Sequence, residues 1–109
     1  MVVDFKTMQE TVIPQFYGGE KETIARLFVD ENGKIMQGRL KPGASIGVHT
    51  HETSSEIIYV LSGKGKAFFD GEWEELEPGQ CHYCPKGHTH GLTNGGEEDL
   101  VFFAVVPNQ

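Results

Sequence analysis

The spacing Gly43-x5-His49-x-His51-x4-Glu56-x6-Gly63 constrains this chain more than any other stretch. Two histidines at i and i+2 lie on one face of an extended strand, whereas a helix would splay them apart. A strand through His49 and His51 therefore aims both imidazoles at one point. Glu56 follows the polar turn Glu52-Thr53-Ser54-Ser55 and can join them from the start of the next strand. Two imidazoles and a carboxylate are three ligands for a divalent transition metal. His90, in the glycine-punctuated stretch 79–94, offers a fourth. Taken singly, each residue has a plainer reading, as a strand-surface histidine or a solvated glutamate. Brought together in an apolar interior, an unpaired carboxylate would be costly, and a dication removes that cost.

Both stretches resemble the motifs of the cupin superfamily. Residues 43–63 fit G-x5-H-x-H-x3,4-E-x6-G, and residues 79–94 fit G-x5-P-x-G-x2-H-x3-N through Gly79, Pro85, Gly87, His90 and Asn94. Every typed position is filled. The resemblance implies an all-β fold, a double-stranded β-helix or jelly-roll barrel. It implies one domain over residues 1–109, in which the strands of residues 1–42 complete the barrel or a dimer. It also implies a metal held by His49, His51, Glu56 and His90, a small-molecule ligand, and a homodimer, since cupins usually dimerise or add a second cupin domain. It does not imply one reaction, because the same fold carries many chemistries.

Composition narrows the partners. The net charge is −7, with 16 acids against 9 bases. No basic stripe is available to neutralise phosphates, which argues against nucleic acid and against an anionic membrane surface. No apolar run approaches the ~20 residues that span a bilayer. Met1-Val-Val-Asp-Phe-Lys6 lacks a basic segment followed by an apolar one, so the expected compartment is the cytoplasm. Fourteen glycines and five prolines fit a turn-rich β protein.

The period-2 pattern predicts roughly nine short strands and no helix. Thr11–Pro14 reads as a short edge strand, because proline removes a ladder donor. Residues 23–29 and 34–40 flank a turn at Asp30-Glu-Asn-Gly33. Asp70-Gly71 between 66–69 and 72–76 is a two-residue hairpin signal. In the strand 56–61, Ile58 and Val60 share the face of Glu56, and Ile57, Tyr59 and Leu61 face the other way. That second face is also apolar, as is all of 100–106, so both strands are expected to be covered on both sides, the outer side by a second copy.

Imidazole and carboxylate donors suit Mn, Fe, Co, Ni, Cu or Zn. A set of three histidines and one glutamate leaves about two octahedral positions for water or a bidentate substrate. His88, two residues before His90, is the candidate general acid or base. His82 is the polar exception in an apolar strand, and a dimer contact is favoured over the pocket. Arg26 and Arg39 could each clamp a carboxylate, with an outer-face ion pair as the plainer expectation. Cys81 and Cys84, at i and i+3 on a strand, face opposite sides and are read as ordinary buried thiols rather than a metal or disulfide pair. Phe68, Phe69, Trp73, Phe102 and Phe103 are read as core, and Phe16-Tyr17-Gly18-Gly19 as a loop covering a barrel end. Two functions remain open. One is an enzyme of dioxygenase, decarboxylase or isomerase type acting on a small oxygenated metabolite. The alternative is a non-catalytic, metal-assisted small-molecule binding protein; a storage role is a third and weaker option, because storage cupins often lose ligands.

Overall fold

The computed structural model describes residues 1–109. Ten strands form two antiparallel sheets. They are β1 (Thr11–Pro14), β2 (Glu22–Asp30), β3 (Gly33–Leu40), β4 (Ser45–Thr50), β5 (Glu56–Ser62), β6 (Gly65–Phe69), β7 (Glu72–Leu76), β8 (Cys81–Cys84), β9 (Thr89–Thr93) and β10 (Leu100–Pro107). One sheet runs β1-β2-β3-β10-β5-β8 and the other β4-β9-β6-β7. The chain thus has one strand more than the roughly nine expected. The strands of residues 1–42 build half of the larger sheet, and Pro14 lies on its edge strand, where a missing donor costs nothing. The only helical pieces are two three-residue 3₁₀ turns, Phe5–Thr7 and Phe16–Gly18.

Alternation along each strand decides which side chains meet between the sheets. On β10, Leu100, Phe102, Ala104 and Val106 are buried while their neighbours are half-exposed. On β5, Glu56, Ile58 and Val60 point inward, and Ile57, Tyr59 and Leu61 point out, as the sequence period requires. Met36, Leu40, Ile46, Leu92, Leu100 and Phe102 dominate the core between the sheets. The turn that closes the β6–β7 hairpin holds both Asp70 and Gly71 at positive φ, the requirement of a type I′ hairpin.

Three of the five aromatics read as core face outward instead, Trp73, Phe68 and Phe103. Trp73 is 56% exposed and stacks edge-on against Phe68 (5.3 Å between centroids) on the outside of the β6–β7 hairpin. Phe68 is paired with Trp73 across the strands, so one parity carries both outward, and only Phe69 turns in. The outer face of the larger sheet is apolar over β10, β5 and β8. Tyr59 pairs with Phe103, and Ile57 with both Val105 and Tyr83, on neighbouring strands. Phe5 covers part of this face, edge-on to Phe103 at 6.0 Å, but Ile57, Tyr59, Leu61 and Tyr83 remain exposed.

Candidate metal centre

The four expected ligands converge between the sheets. His49 lies on β4 directly opposite His90 on β9, His51 follows the end of β4, and Glu56 opens β5 of the facing sheet. His49 Nε2 lies 3.2 Å from His51 Nε2, and His51 Nε2 lies 2.9 Å from His90 Nε2. Glu56 Oε1 is 3.0 Å from His51 Nε2 and 2.9 Å from His90 Nε2. One donor atom from each of the four residues lies within 4.8 Å of the others. Ligands at ~2.1 Å from an ion, a usual metal–imidazole length, have adjacent donors about 3.0 Å apart at right angles. The observed edges match that spacing, so the donor set fits a divalent metal. His51, Glu56 and His90 are buried and His49 half-buried, which leaves the approach on the His49 side. A cavity of about 400 Å³ opens there, lined by Tyr17, Lys34, His49, His51 and Asn108 among others. A larger surface groove of about 900 Å³ lies over β6 and β7 and contains none of the four ligands.

Residues 36–106 match the family model described as the cupin domain. The chain belongs to the cupin family. An oxalate-binding protein of Thermotoga maritima is 37% identical over 68 residues, 62% of this cupin and 56% of that relative. A glucose-6-phosphate isomerase of Thermococcus gammatolerans is 36% identical over 64 residues, 54% of this chain and 34% of the isomerase. This cupin therefore spans only about half or less of the length of these two relatives. Among solved structures, a predicted oxalate decarboxylase of Thermotoga maritima superimposes over the full length of both chains, with a TM-score of 0.93 and 28% identity.

Electrostatics keep Glu56 ionised and disfavour the charged form of His49. Burial alone would raise the Glu56 carboxyl, but hydrogen bonds from His51 and His90 outweigh it and hold it at about 2. Burial depresses His49, an effect only partly offset by its bond to the Gly47 carbonyl. An ionised carboxylate and neutral imidazoles are the binding forms. Each ligand imidazole has a second contact through its other nitrogen. His49 Nδ1 meets the Gly47 carbonyl at 2.7 Å, His51 Nδ1 meets Ser54 Oγ at 2.7 Å, and His90 Nδ1 meets His82 Nε2 at 3.1 Å.

Three residues fall elsewhere than expected. His82 is no outer contact: it is 4% exposed and points inward from β8 onto His90, the two rings edge to edge with planes 17° apart and centroids 5.3 Å apart. Burial, then the neighbouring His90, lower its pKa to about 4. Tyr17 does more than cover a barrel end. Its ring stacks flat on the His49 imidazole, 3.8 Å between centroids and 11° between planes. Gly47 makes this possible: a Cβ there would stand 2.0 Å from the Tyr17 carbonyl oxygen, so only glycine lets the 3₁₀ turn lie against β4. Cys81 is exposed rather than buried, while Cys84 is buried, because they sit on opposite faces of β8; both thiols are free.

The remaining expectations sort simply. His88 stands half-exposed at the end of the barrel, its Nδ1 bonded to Asp70 and its ring stacked on Phe69 at 5.4 Å. It is not among the four converging donors. Arg39 is in an outer ion pair with Glu10 (3.0 Å) and Asp99 (3.3 Å). Arg26 instead donates Nε–H to the Met8 carbonyl at 3.1 Å. Asn94, the last motif position, is a strut: its Nδ2 donates to the Leu40 and Glu98 carbonyls, both at 2.8 Å. The sequence signal for His82 was its polarity in an apolar strand; that for Tyr17 was an aromatic beside glycines, which can line a pocket; Ser54 gave none beyond its place in the motif.

Acid should weaken the metal-free protein in two windows. His82 has a folded-state pKa near 4, below the ~6.5 of a free imidazole, so its stabilisation is complete above pH ~6.5 and is lost as pH falls through about 4. Glu56, held at about 2 against 4.5, contributes above pH 4.5 and is lost as pH falls through about 2. Urea midpoints measured from pH 7 to pH 3 should therefore fall steadily. A flat profile would show that these groups are not buried as described.

Proposed function

We propose that this cupin is a metal-dependent enzyme acting on a small oxygenated metabolite. The observation that carries the reading is the set of four convergent donors, three of them buried, beside a cavity that His49 and His51 help to line. The ion belongs to the group Mn, Fe, Co, Ni, Cu and Zn. When bound, it supplies Lewis-acid polarisation of a coordinated oxygen or a site for redox chemistry. His49, His51, Glu56 and His90 hold it, and the Tyr17 ring walls the cavity beside His49. A small oxygen-rich ligand such as a dicarboxylate fits the name carried by the oxalate-binding relative and the limited volume. The proposed site is cytoplasmic, and the whole unit is one domain over residues 1–109.

His88, two residues before His90 and outside the lining of that cavity, is the acid or base of this proposal. Asp70 bonds Nδ1 and so orients the ring with Nε2 free. His88→Ala is expected to lower turnover by about 10²–10⁴-fold with metal content unchanged. Metal analysis after purification, followed by dioxygen uptake and carbon dioxide release with oxalate and related acids, reads both. Unchanged turnover in the variant would remove His88 from the chemistry.

A second reading, a non-catalytic binding protein, is favoured by the name of the oxalate-binding relative. Saturable ligand binding to the metal-loaded protein without any product would select it.

We also propose a homodimer through the outer face of the larger sheet. Tyr59 is 43% exposed amid Ile57, Leu61 and Tyr83, an apolar patch that a second copy would cover in a two-fold contact. Sedimentation equilibrium should give a dimer, and Tyr59→Lys should weaken it by more than about tenfold. A monomer at micromolar concentration in the parent would refute the assembly.

A further inference from the structure

We infer that His82 is a positioning residue for the metal ligand His90, acting through a directed imidazole–imidazole hydrogen bond that crosses from one sheet to the other. This rests on the metal reading above. His90 presents Nε2 to the cluster, 2.9 Å from Glu56 Oε1 and from His51 Nε2. A metal needs the lone pair on that nitrogen, so the ring proton must sit on Nδ1. His90 is 1% exposed, and the partner in reach of Nδ1 is His82 Nε2 at 3.1 Å. His82 must then accept, which places its own proton on Nδ1. That nitrogen faces the Glu74 carboxylate at 3.6 Å, beyond a direct hydrogen bond but near enough for the negative charge to favour a proton there. Carboxylate, imidazole and imidazole thus stand in line behind the ligand. This is a longer version of the carboxylate–histidine pair that commonly orients metal-bound histidines.

The geometry fixes the His82 ring as well as its direction. Its plane lies 17° from that of His90, and Phe69 closes its flank edge-on at 5.9 Å. His82 comes from β8 and His90 from β9, in different sheets, so the bond also pins the ligand strand to the opposite wall. The outer partners of the other two ligand imidazoles are local, a carbonyl two residues away for His49 and a hydroxyl three residues away for His51. Without metal, the pair can run in reverse. His90 Nε2–H then donates to Glu56 and His82 Nε2–H donates to His90, so both ring nitrogens of His90 stay paired, while the His82 Nδ1 lone pair is left facing the Glu74 carboxylate.

The test uses Zn²⁺ on the full chain. Competition titrations against a chromogenic chelator compare the parent with His82→Phe, which cannot accept a hydrogen bond, and His82→Gln, whose carbonyl can replace Nε2. His82→Phe is expected to weaken Zn²⁺ by about 10–100-fold, and His82→Gln to stay close to the parent. In the Zn²⁺-loaded parent, long-range ¹H–¹⁵N spectra should show His82 protonated on Nδ1 and His90 protonated on Nδ1. A His82→Phe variant that folds and binds Zn²⁺ like the parent overturns the inference. So does a loaded parent in which His82 carries its proton on Nε2, a result that needs no variant to fold. A parent that takes up neither Zn²⁺ nor Co²⁺ sinks the metal reading itself, a failure distinct from these two.

Discussion

Glu56→Gln should cost this cupin at least about 100-fold in metal affinity, roughly 2.8 kcal/mol. The substitution keeps the shape and removes the one formal negative charge among the four donors. Glu56 is buried, and His51 and His90 already hold it ionised at about 2, so the parent presents a charged ligand with no proton to displace. The same change should remove most of the stabilisation that metal gives the fold, about 2.7 of about 4.1 kcal/mol at a fixed metal level. A site held at about 1,000 times its dissociation constant gains about 4 kcal/mol. For a domain of this length that is a rise in Tm of roughly 15–30 °C. Competition titration and calorimetry with and without Zn²⁺ measure both. Equal affinity in parent and variant would mean that the four groups do not act as one site.

Phe102→Ala is expected to destabilise the fold by about 3–5 kcal/mol, a fall in Tm of at least about 12 °C. Phe102 is fully buried on β10, between β3 and β5. Its ring fills the space over Gly38, where an added Cβ would stand 2.6 Å from it. Truncation leaves a cavity that the two flanking strands cannot collapse into without breaking their ladders. β5 also carries Glu56, so the metal should partly rescue the variant. Urea denaturation with and without metal reads the two effects. A loss below about 1 kcal/mol would show that the site repacks freely.

The convergence of His49, His51 and Glu56 was legible because its information is local. His49 and His51 share a face by strand parity, and Glu56 repeats that parity on the next strand with Ile58 and Val60. Arg39 was legible as an outer ion pair because acids outnumber bases so heavily. Trp73 was not. Its hydrophobicity suggested the core, yet its position across from Phe68 in a hairpin turned it outward. Cys81 was misplaced for the same reason: parity separates it from Cys84 but does not say which of the two faces in.

Strand parity and turn residues act within a few positions, and they made most strands, the turns and the convergence of His49, His51 and Glu56 legible; His90 was legible through its place in the second cupin motif. Tertiary packing alone decided that His82 meets His90, that Tyr17 lies on His49, and that Tyr83 joins Ile57, Tyr59 and Leu61 in one exposed apolar patch. These contacts join elements brought together by sheet order and by the packing of one sheet on the other. β8 reaches the site because it flanks β5, and the 3₁₀ turn reaches it because Gly47 lets two backbones touch. No local period encodes which strand becomes whose neighbour, because that choice is made by burying apolar faces across the whole chain at once.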